Sequence, residues 1–264
     1  MPTKRRPKPL GLPTRGKTAL NRLRQIDTYI ALAHEETLRG GSPLVVDLGF
    51  GAAVWTTLEL YERWRRLAPR LHVIGVEIDP QRVAEARPYA APPYLEFRLG
   101  GFNLRETLDG ETARLIRAYN VLRQYEEAAV APALAELSAA LEIGGLLIEG
   151  TSNPTGSLVA FDLYRHTADG LRHIGLTFGT NFHGHPHPAD FQTILPKRLI
   201  HRMRDPRPAA FFEAWKREFD QRKGLPLRAR WLSAALRLRD TYRMDARPRL
   251  LRRGFLTIYD RLRD

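Results

Sequence analysis

The fold is decided by two short stretches, Val45-Val46-Asp47-Leu48-Gly49-Phe50-Gly51 and Val73-Ile74-Gly75-Val76-Glu77-Ile78-Asp79-Pro80. Each is an apolar run that ends in a carboxylate. The first run then turns through two glycines before a helix-compatible segment, Thr56 to Leu67. This layout predicts two adjacent parallel strands, because the carboxyl ends of such strands meet at one edge of a sheet and hold a ligand there.

The alternation of strand and helix patterns continues on both sides of these stretches. Apolar residues at three- and four-residue steps predict a helix from Thr18 to Leu38, which Gly40-Gly41 closes. The predicted strands are 44–48, 72–77, 94–98, 115–120 and 146–150, and the predicted helices between them are 55–67, 80–88 and 126–141. Such alternation predicts a parallel sheet that is covered by helices on both faces.

The pattern changes beyond residue 150. Two runs, Ser157 to Tyr164 and Leu171 to Phe178, predict an antiparallel pair of strands. Residues 188–245 are mainly helical in pattern, and the β-rich run 254–259 is a candidate last strand. The predicted fold class is therefore α/β: a three-layer αβα sandwich with a mostly parallel, doubly wound sheet, antiparallel strands near the C-terminus and a basic helical insertion.

The chain is expected to form one domain with an N-terminal extension. The domain spans 18–264, with its core at 40–180 and the helical insertion at about 188–245. Residues 1–17 are rich in proline and basic side chains, which predicts a basic flexible arm.

The composition excludes several classes of chemistry. The chain has 264 residues and no cysteine, so a thiolate nucleophile, a cysteine-ligated zinc and an iron–sulfur cluster are impossible. The sequence also has neither the long apolar run of a membrane span nor a signal peptide. A cytoplasmic protein without a membrane partner is therefore expected.

The formal net charge of +13 is distributed unevenly along the chain. Residues 1–24 carry +8 and residues 197–264 carry +12, whereas the residues between them carry −7. Clustered basic side chains favour a polyanionic partner such as RNA, because binding releases counterions from phosphates. The alternative is that these charges are solvated helix faces, or arms that dock on the acidic middle of the chain.

Four of the quoted residues, Asp47, Gly49, Gly51 and Glu77, resemble a motif of the class I, Rossmann-like S-adenosylmethionine-dependent methyltransferases. The resemblance covers about residues 40–150. It implies that the glycine turn lets the backbone approach the methionine and ribose portion of S-adenosylmethionine. It also implies that Glu77 accepts hydrogen bonds from the ribose hydroxyls.

The resemblance extends to the ends of the third and fourth strands. Phe102 or Asn103 would serve near the adenine, where many family members have an acid. The segment from Asn120 to Tyr125 would face both the cofactor and the methyl acceptor. This segment lacks the Pro-Pro-aromatic sequence of members that act on exocyclic amines, so that acceptor class is disfavoured.

The residues themselves separate this site from a dinucleotide site. A pyrophosphate-binding fingerprint requires a third glycine, and Val54 stands at that position. A carboxylate at Asp47 would repel pyrophosphate, but it suits a cofactor that carries an ammonium and a sulfonium. Asp79 is better explained as a helix N-cap, because Pro80 follows at the first helical position.

The catalytic and substrate-binding candidates surround the end of the fourth strand. Tyr125 is the candidate general base, whereas the neighbouring acids Glu126 and Glu127 could simply begin a helix. Arg123 is a candidate for binding the substrate. A second group of polar residues, which lines the cleft entrance or holds an anionic acceptor, comprises Arg15, Lys17, Asn21 and Arg22.

Three further patterns have simpler explanations. Gly11 to Thr18 matches the phosphate-binding loop, but no buried strand precedes it. The alternating histidines at 183–187 lack an accompanying set of carboxylates, so no metal site is predicted. The aromatic residues among the C-terminal arginines have helical spacing and are predicted to be core; they are Phe211, Phe212, Trp215, Phe219 and Trp231.

The leading hypothesis is an enzyme, an S-adenosylmethionine-dependent methyltransferase whose cofactor is held by Asp47, Gly49, Gly51, Glu77, Phe102 and Asn120. The acceptor is unknown, and charge favours RNA over a small molecule or a protein. The alternative is a non-catalytic nucleic-acid-binding protein that retains a methyltransferase-like fold.

Overall fold

The computed structural model describes residues 8–13, 18–245, 247–259 and 262. In this part of the chain, eight strands form one sheet. The strands are β1 (Leu44–Leu48), β2 (His72–Glu77), β3 (Leu95–Leu99), β4 (Ala113–Tyr119), β5 (Leu141–Ser152), β6 (Leu158–Thr167), β7 (Gly170–Thr180) and β8 (Phe255–Ile258).

Helices precede, separate and follow these strands. They are α1 (Arg24–Ala33), α2 (Glu35–Arg39), α3 (Trp55–Arg65), α4 (Pro80–Ala86), α5 (Leu104–Thr107), α6 (Val130–Ser138), α7 (Lys197–Ile200), α8 (Pro206–Asp220), α9 (Leu227–Leu238) and α10 (Pro248–Arg252). The side chain of Asp79 accepts a hydrogen bond from the Gln81 N–H at 2.9 Å, which confirms it as the N-cap of α4. Within the described ranges, no helix has both the length and the apolar composition needed to cross a membrane.

Some boundaries differ from the predicted ones. The predicted helix 18–38 is shorter and divided, because His34 leaves the helical conformation between α1 and α2. The predicted helix 126–141 begins only at Val130, after two short 3₁₀ turns. The predicted strand 146–150 is longer at both ends, since β5 pairs with β4 from Leu141 onward and continues along β6 to Ser152.

The strand order is β3-β2-β1-β4-β5-β6-β7-β8. The first five strands in this order are parallel, and the last three are added antiparallel. The order changes direction between β1 and β4, and ligands bind at such a switch point in open α/β sheets. The predicted mixed sheet is confirmed, and so is the late strand, because Phe255 of β8 pairs with Gly179 of β7.

Alternate side chains of the strands pack into separate apolar clusters, which makes the fold a three-layer sandwich. Val45 points into a cluster with α1, α3 and α4, whereas its neighbour Val46 points into a cluster with α5 and α6. A third cluster lies against β6, β7 and β8 and includes α8 and α9. The predicted core role of the C-terminal aromatic residues is confirmed, because all five are at most 1% exposed.

One buried ion pair network joins the two central strands to the helices on one face. Arg117 of β4 is fully buried and donates to both carboxylate oxygens of Asp47 on β1, at 2.9 and 2.8 Å. The same guanidinium donates to Asp27 of α1 and to the carbonyl oxygen of Thr56 in α3. Thr57 adds a hydrogen bond to Asp47 at 2.6 Å. Two carboxylates therefore share one buried cation.

Removal of this cation should destabilise the fold strongly. In Arg117→Met, two buried carboxylates lose their partner, so we expect the free energy of unfolding in urea to fall by about 3–5 kcal/mol. Arg105→Met is the matched control, because Arg105 is exposed on α5 and its replacement should change the stability by less than about 0.5 kcal/mol. Similar values for the two variants would contradict a stabilising role of the network.

Another buried acid lies in the antiparallel half of the sheet. Glu149 of β5 is 1% exposed and lies opposite Asp162 of β6. Among the described residues, its Oε1 has no hydrogen-bond partner. Burial raises the pKa of Glu149 to about 8, and the negative charge of Asp162 acts in the same direction. The folded protein therefore keeps a proton on Glu149 that the unfolded chain loses at lower pH.

This raised pKa makes stability depend on pH. Because the folded state binds the extra proton, the free energy of unfolding should fall as pH rises from about 5 to about 8, by up to about 4 kcal/mol from this residue. Glu149→Gln should remove this contribution, whereas Glu136→Gln, at an exposed site on α6, should keep it. Urea unfolding of both variants across this pH range measures the effect. If the free energy of unfolding of Glu149→Gln falls with pH as steeply as that of the wild type, the assignment is refuted.

Candidate functional site

The turn after β1 depends on two glycines in the left-handed region. Gly49 has φ of +73° and Gly51 has φ of +82°, which residues with a side chain rarely adopt. The N–H of Gly49 donates to the Val76 carbonyl oxygen at 2.7 Å. The N–H of Gly51 donates to Oε2 of Glu77 at 2.8 Å. The turn is therefore fastened to the end of β2.

Glu77 fixes the geometry of the loops that follow β1 and β2. Its other oxygen, Oε1, accepts hydrogen bonds from the backbone N–H groups of Ile78 at 2.9 Å and Asp79 at 3.3 Å. Arg82 lies 3.8 Å from Oε2, and the Glu77 side chain is fully buried. The Glu77 carboxylate thus accepts hydrogen bonds from three backbone N–H groups of these loops. A carboxylate here is also suited to accept hydrogen bonds from the hydroxyl groups of a ligand.

Asp47 differs from the expectation that it faces a cationic cofactor. Its carboxylate is 2% exposed, and both oxygens accept hydrogen bonds from Arg117. The negative charge that was predicted to attract an ammonium is already compensated inside the domain. The correction is that Asp47 orders the start of α3 through Thr57 and holds β1 to β4.

The loops after β1 to β4 surround a crevice at the switch point of the sheet. Its lining includes Glu77, Ile78, Phe102, Val121 and Tyr125. In this structure the crevice is filled by the chain itself, because residues 8–13 lie in it. We call residues 8–13 the strap. The cavity left between the strap and the loops has a volume of only about 20 Å³.

The strap is held mainly through its backbone. The N–H of Phe102 donates to the Leu10 carbonyl oxygen at 2.8 Å, and the N–H of Leu10 donates to Oδ1 of Asn103 at 2.8 Å. The N–H of Leu12 donates to the hydroxyl oxygen of Tyr125, and the Gln124 side chain donates to the Leu12 carbonyl oxygen at 3.3 Å. The strap is therefore bound at both ends.

Close backbone approach makes this docking sensitive to a single side chain. A Cβ atom added at Gly101 would lie 2.0 Å from the Leu10 carbonyl oxygen. A Cβ atom added at Gly11, which has φ of +130°, would lie 2.9 Å from the Tyr125 hydroxyl oxygen. The glycines on both sides of the contact thus permit the strap to lie flat on the loop after β3.

Tyr125 helps to hold the strap, and its environment does not favour proton transfer. Its ring lies 5.2 Å from the ring of Phe102, and its hydroxyl accepts the Leu12 N–H. Burial raises the pKa of Tyr125 above its usual value. A phenol with a raised pKa stays protonated near neutral pH, so this environment disfavours the predicted use of Tyr125 as a general base.

A second cavity of about 540 Å³ lies on the other side of the segment that follows β4. It is lined by Arg22, Asn120, Arg123, Gln124, Ser152, Asn153, Pro154, Thr193 and Ile194. Asn120 has φ of +60°, and its Oδ1 accepts the Ser152 N–H at 2.9 Å while its Nδ2 donates to the Ser152 hydroxyl at 3.2 Å. The ends of β4 and β5 are thereby joined in the wall of this cavity.

The structure separates the predicted site residues into these two places. Gly49, Glu77 and Phe102 line the crevice with Tyr125, whereas Asn120 lies in the second cavity. The predicted substrate residues Arg22 and Arg123 line the second cavity together.

The remaining predicted residues lie elsewhere. The Asn21 N–H donates to Glu59 of α3 at 2.7 Å, and Asn21 does not line the cavity. The predicted residues Arg15 and Lys17 lie outside the described part of the chain.

Several lining residues were not found by the sequence reasoning. The strap and Ile78 belong to the crevice, and Ser152 and Thr193 belong to the second cavity. Ser152 is a polar residue at the end of an apolar strand, as Asp47 and Glu77 are. That position was the signal in the sequence that could have identified it. Thr193 lies far along the chain in a 3₁₀ helix, where no local pattern points to the site.

The histidine-rich loop has structural roles. The side chain of His187 accepts the Ala189 N–H at 3.1 Å and lies 3.4 Å from Asp220. Within the described ranges, no three His, Cys, Asp or Glu side chains are placed to hold one metal ion.

Comparisons with known proteins give similarities to solved structures only. No protein-family model and no curated protein matches the chain. One similar structure is CalS10, an amino pentose methyltransferase from Micromonospora echinaspora with bound S-adenosylmethionine, at 20% identity and a TM-score of 0.36 over 63% of this chain and 71% of that chain. Another is a putative methyltransferase from Thermobifida fusca, at 20% identity and a TM-score of 0.38 over 49% and 53%.

Two other similar structures are of longer proteins with other activities. The cyclopropane synthase MmaA2 from Mycobacterium tuberculosis matches at 18% identity and a TM-score of 0.36, over 47% of this chain and 41% of that one. A pericyclic reaction enzyme matches over 30% of its length, at 17% identity and a TM-score of 0.38 over 45% of this chain. At such scores, the assignment of the fold rests on the topology itself: the order β3-β2-β1-β4-β5, the glycine turn after β1 and the acid ending β2.

The described topology is consistent with a methyltransferase-like αβα fold. Within this fold, the crevice and the second cavity lie at the carboxyl ends of the parallel strands, where α/β proteins of this kind bind ligands. The fold by itself does not determine the reaction, because one fold supports many chemistries.

Docking of the strap should be lost when Gly101 gains a side chain. In Gly101→Ala, the new Cβ atom meets the Leu10 carbonyl oxygen, so the strap must move and the N–H groups of Leu10 and Phe102 should exchange hydrogen faster. Gly224→Ala is the matched control, because a Cβ atom there meets nothing within 4 Å. Hydrogen exchange measures both, and unchanged protection of Phe102 in Gly101→Ala would contradict the docked arrangement.

Proposed function

We propose that this protein is a methyltransferase that uses S-adenosylmethionine. The observation that supports it best is the anchoring of Glu77 against the glycine turn, at the mouth of a crevice that adjoins a second, polar cavity. A cofactor in the crevice and an acceptor in the cavity would meet at residues 120–125. Methyl transfer needs this kind of positioning more than it needs reactive side chains.

The residues of the crevice fit the cofactor's nucleoside part. The Glu77 carboxylate would accept hydrogen bonds from the ribose hydroxyls, and the turn at Gly49 and Gly51 lets a ligand approach the backbone closely. Ile78 and Phe102 offer apolar surface to an adenine ring. When bound, S-adenosylmethionine supplies a methyl group that its sulfonium already activates.

The second cavity would position the methyl acceptor with polar groups. Among the described residues that line the second cavity there is no acid and no histidine. The protein would therefore orient the acceptor and exclude water, and the acceptor atom would react without a general base from these residues. RNA is the acceptor that the basic charge of residues 1–24 and 197–264 favours.

The strap has to leave the crevice before the cofactor can enter. The cavity that remains is only about 20 Å³, and the backbone of Leu10 to Leu12 lies against Phe102 and Tyr125, where the adenine ring would bind. Binding of the cofactor is then linked to release of the strap, and the affinity is reduced by the free energy of strap docking.

Calorimetric titration tests this function. S-adenosylmethionine and its demethylated product should bind the wild-type protein, and Glu77→Gln should weaken both by about tenfold or more, because one hydrogen bond to a charged acceptor is lost. A variant without residues 1–13 should bind both more tightly than the wild type. Glu111→Gln, at an exposed loop position, is the control and should bind as the wild type does.

Other outcomes would overturn the proposal. Binding of NADH or ATP in place of S-adenosylmethionine would reassign the glycine turn. If neither nucleotide nor S-adenosylmethionine binds the variant without the strap, the non-catalytic nucleic-acid-binding alternative replaces the enzyme. That alternative predicts RNA binding with a steep salt dependence and no turnover.

A further inference from the structure

The second cavity has two guanidiniums in its wall. Arg22 comes from the turn before α1, and Arg123 comes from the segment after β4. The other described residues of the lining are neutral. Two separate parts of the chain thus bring positive charge to one concave surface.

Neutral oxygens orient both guanidiniums. Nε of Arg22 donates to the Ser152 hydroxyl at 3.1 Å, and Nη2 of Arg123 donates to the Thr193 carbonyl oxygen at 3.0 Å. A hydroxyl or a carbonyl oxygen fixes the direction of a guanidinium without cancelling its charge. The planar donors of arginine are suited to phosphate and carboxylate groups.

The electrostatics of Arg22 support a shared site. Burial lowers the pKa of the Arg22 guanidinium, and the positive charge of Arg123 lowers it as well. The two guanidiniums line one cavity, and their like charges repel each other. An anion between them would relieve this repulsion.

We propose that the second cavity binds an anionic group, a phosphate or a carboxylate, and that this group belongs to the methyl acceptor. The second half of this statement rests on the proposed function, whereas the anion site stands on the geometry of Arg22 and Arg123. The volume of about 540 Å³ exceeds that of the anion itself and falls within the range of small-molecule sites. The anion would thus anchor one end of a larger acceptor whose reactive atom lies towards Asn120.

The test uses the full chain without cofactor. Inorganic phosphate, succinate and the neutral succinamide are titrated at constant ionic strength, and binding is followed by amide chemical shifts in NMR spectra. One of the two anions should bind saturably, and succinamide should not. Arg123→Gln should weaken that binding about tenfold, because a charge-assisted hydrogen bond is lost. Arg123 is exposed, so this variant is expected to fold.

The matched control is Arg87→Gln. Arg87 is exposed in the 3₁₀ turn that precedes β3, at the edge of the sheet opposite to the site, and its replacement should leave the anion affinity unchanged. Arg22→Gln should weaken binding as Arg123→Gln does. Preference for phosphate would assign a phosphate-bearing acceptor, and preference for succinate a carboxylate-bearing one.

The proposal is overturned if neither anion saturates, or if Arg87→Gln weakens binding as much as Arg123→Gln. Titration of the full chain and of the variant without residues 1–13 with S-adenosylmethionine separates this result from the proposed function. Cofactor binding without anion binding would refute the anion site alone. Anion binding without cofactor binding would leave the site in place and refute methyl transfer.

Discussion

The buried guanidinium of Arg117 sets the relative position of everything at the switch point. It ties β4 to β1 through Asp47 and ties both strands to α1 through Asp27. A charge without its partners costs several kcal/mol inside a protein, so arrangements that separate these elements are strongly disfavoured. The glycine turn and the segment 120–125 follow β1 and β4 directly. Their geometry therefore depends on the buried ion pair between Arg117 and Asp47.

The segment 120–125 separates the crevice from the second cavity and contributes side chains to the lining of each. Val121 and Tyr125 face the crevice, whereas Asn120, Arg123 and Gln124 face the second cavity. This follows from the tight 3₁₀ turn at Leu122–Gln124, which sends successive side chains in different directions. Because the segment is short, a movement of its crevice side also moves the residues that line the second cavity. The strap is held by Tyr125 and Gln124, so it contacts the element that both sides share.

Local pattern was enough to predict the central strands. β1 and β2 match their predicted bounds because each apolar run is ended by a carboxylate and a turn. Arg117 stands between the apolar residues Ile116 and Ala118 of β4, which signals a buried partner. Which carboxylate it pairs with is set by the pairing of β1 with β4, a contact between residues far apart in sequence. The strap could not be predicted for the same reason, because a proline-rich stretch carries no sign of where it docks.

The position of β8 bears on how the chain is completed during synthesis. β7 ends at Thr180, and its outer neighbour begins only at Phe255, after α7 to α10 have been made. Until then, the backbone groups of Leu176 to Gly179 pair with β6 but have no strand on their outer side, and an open edge of this kind pairs readily with other chains. The aromatic side chains of α8 and α9 pack on a face of β7, so they bury its apolar side chains but not its backbone edge. The outer edge of β7 is therefore closed only when β8 pairs with it.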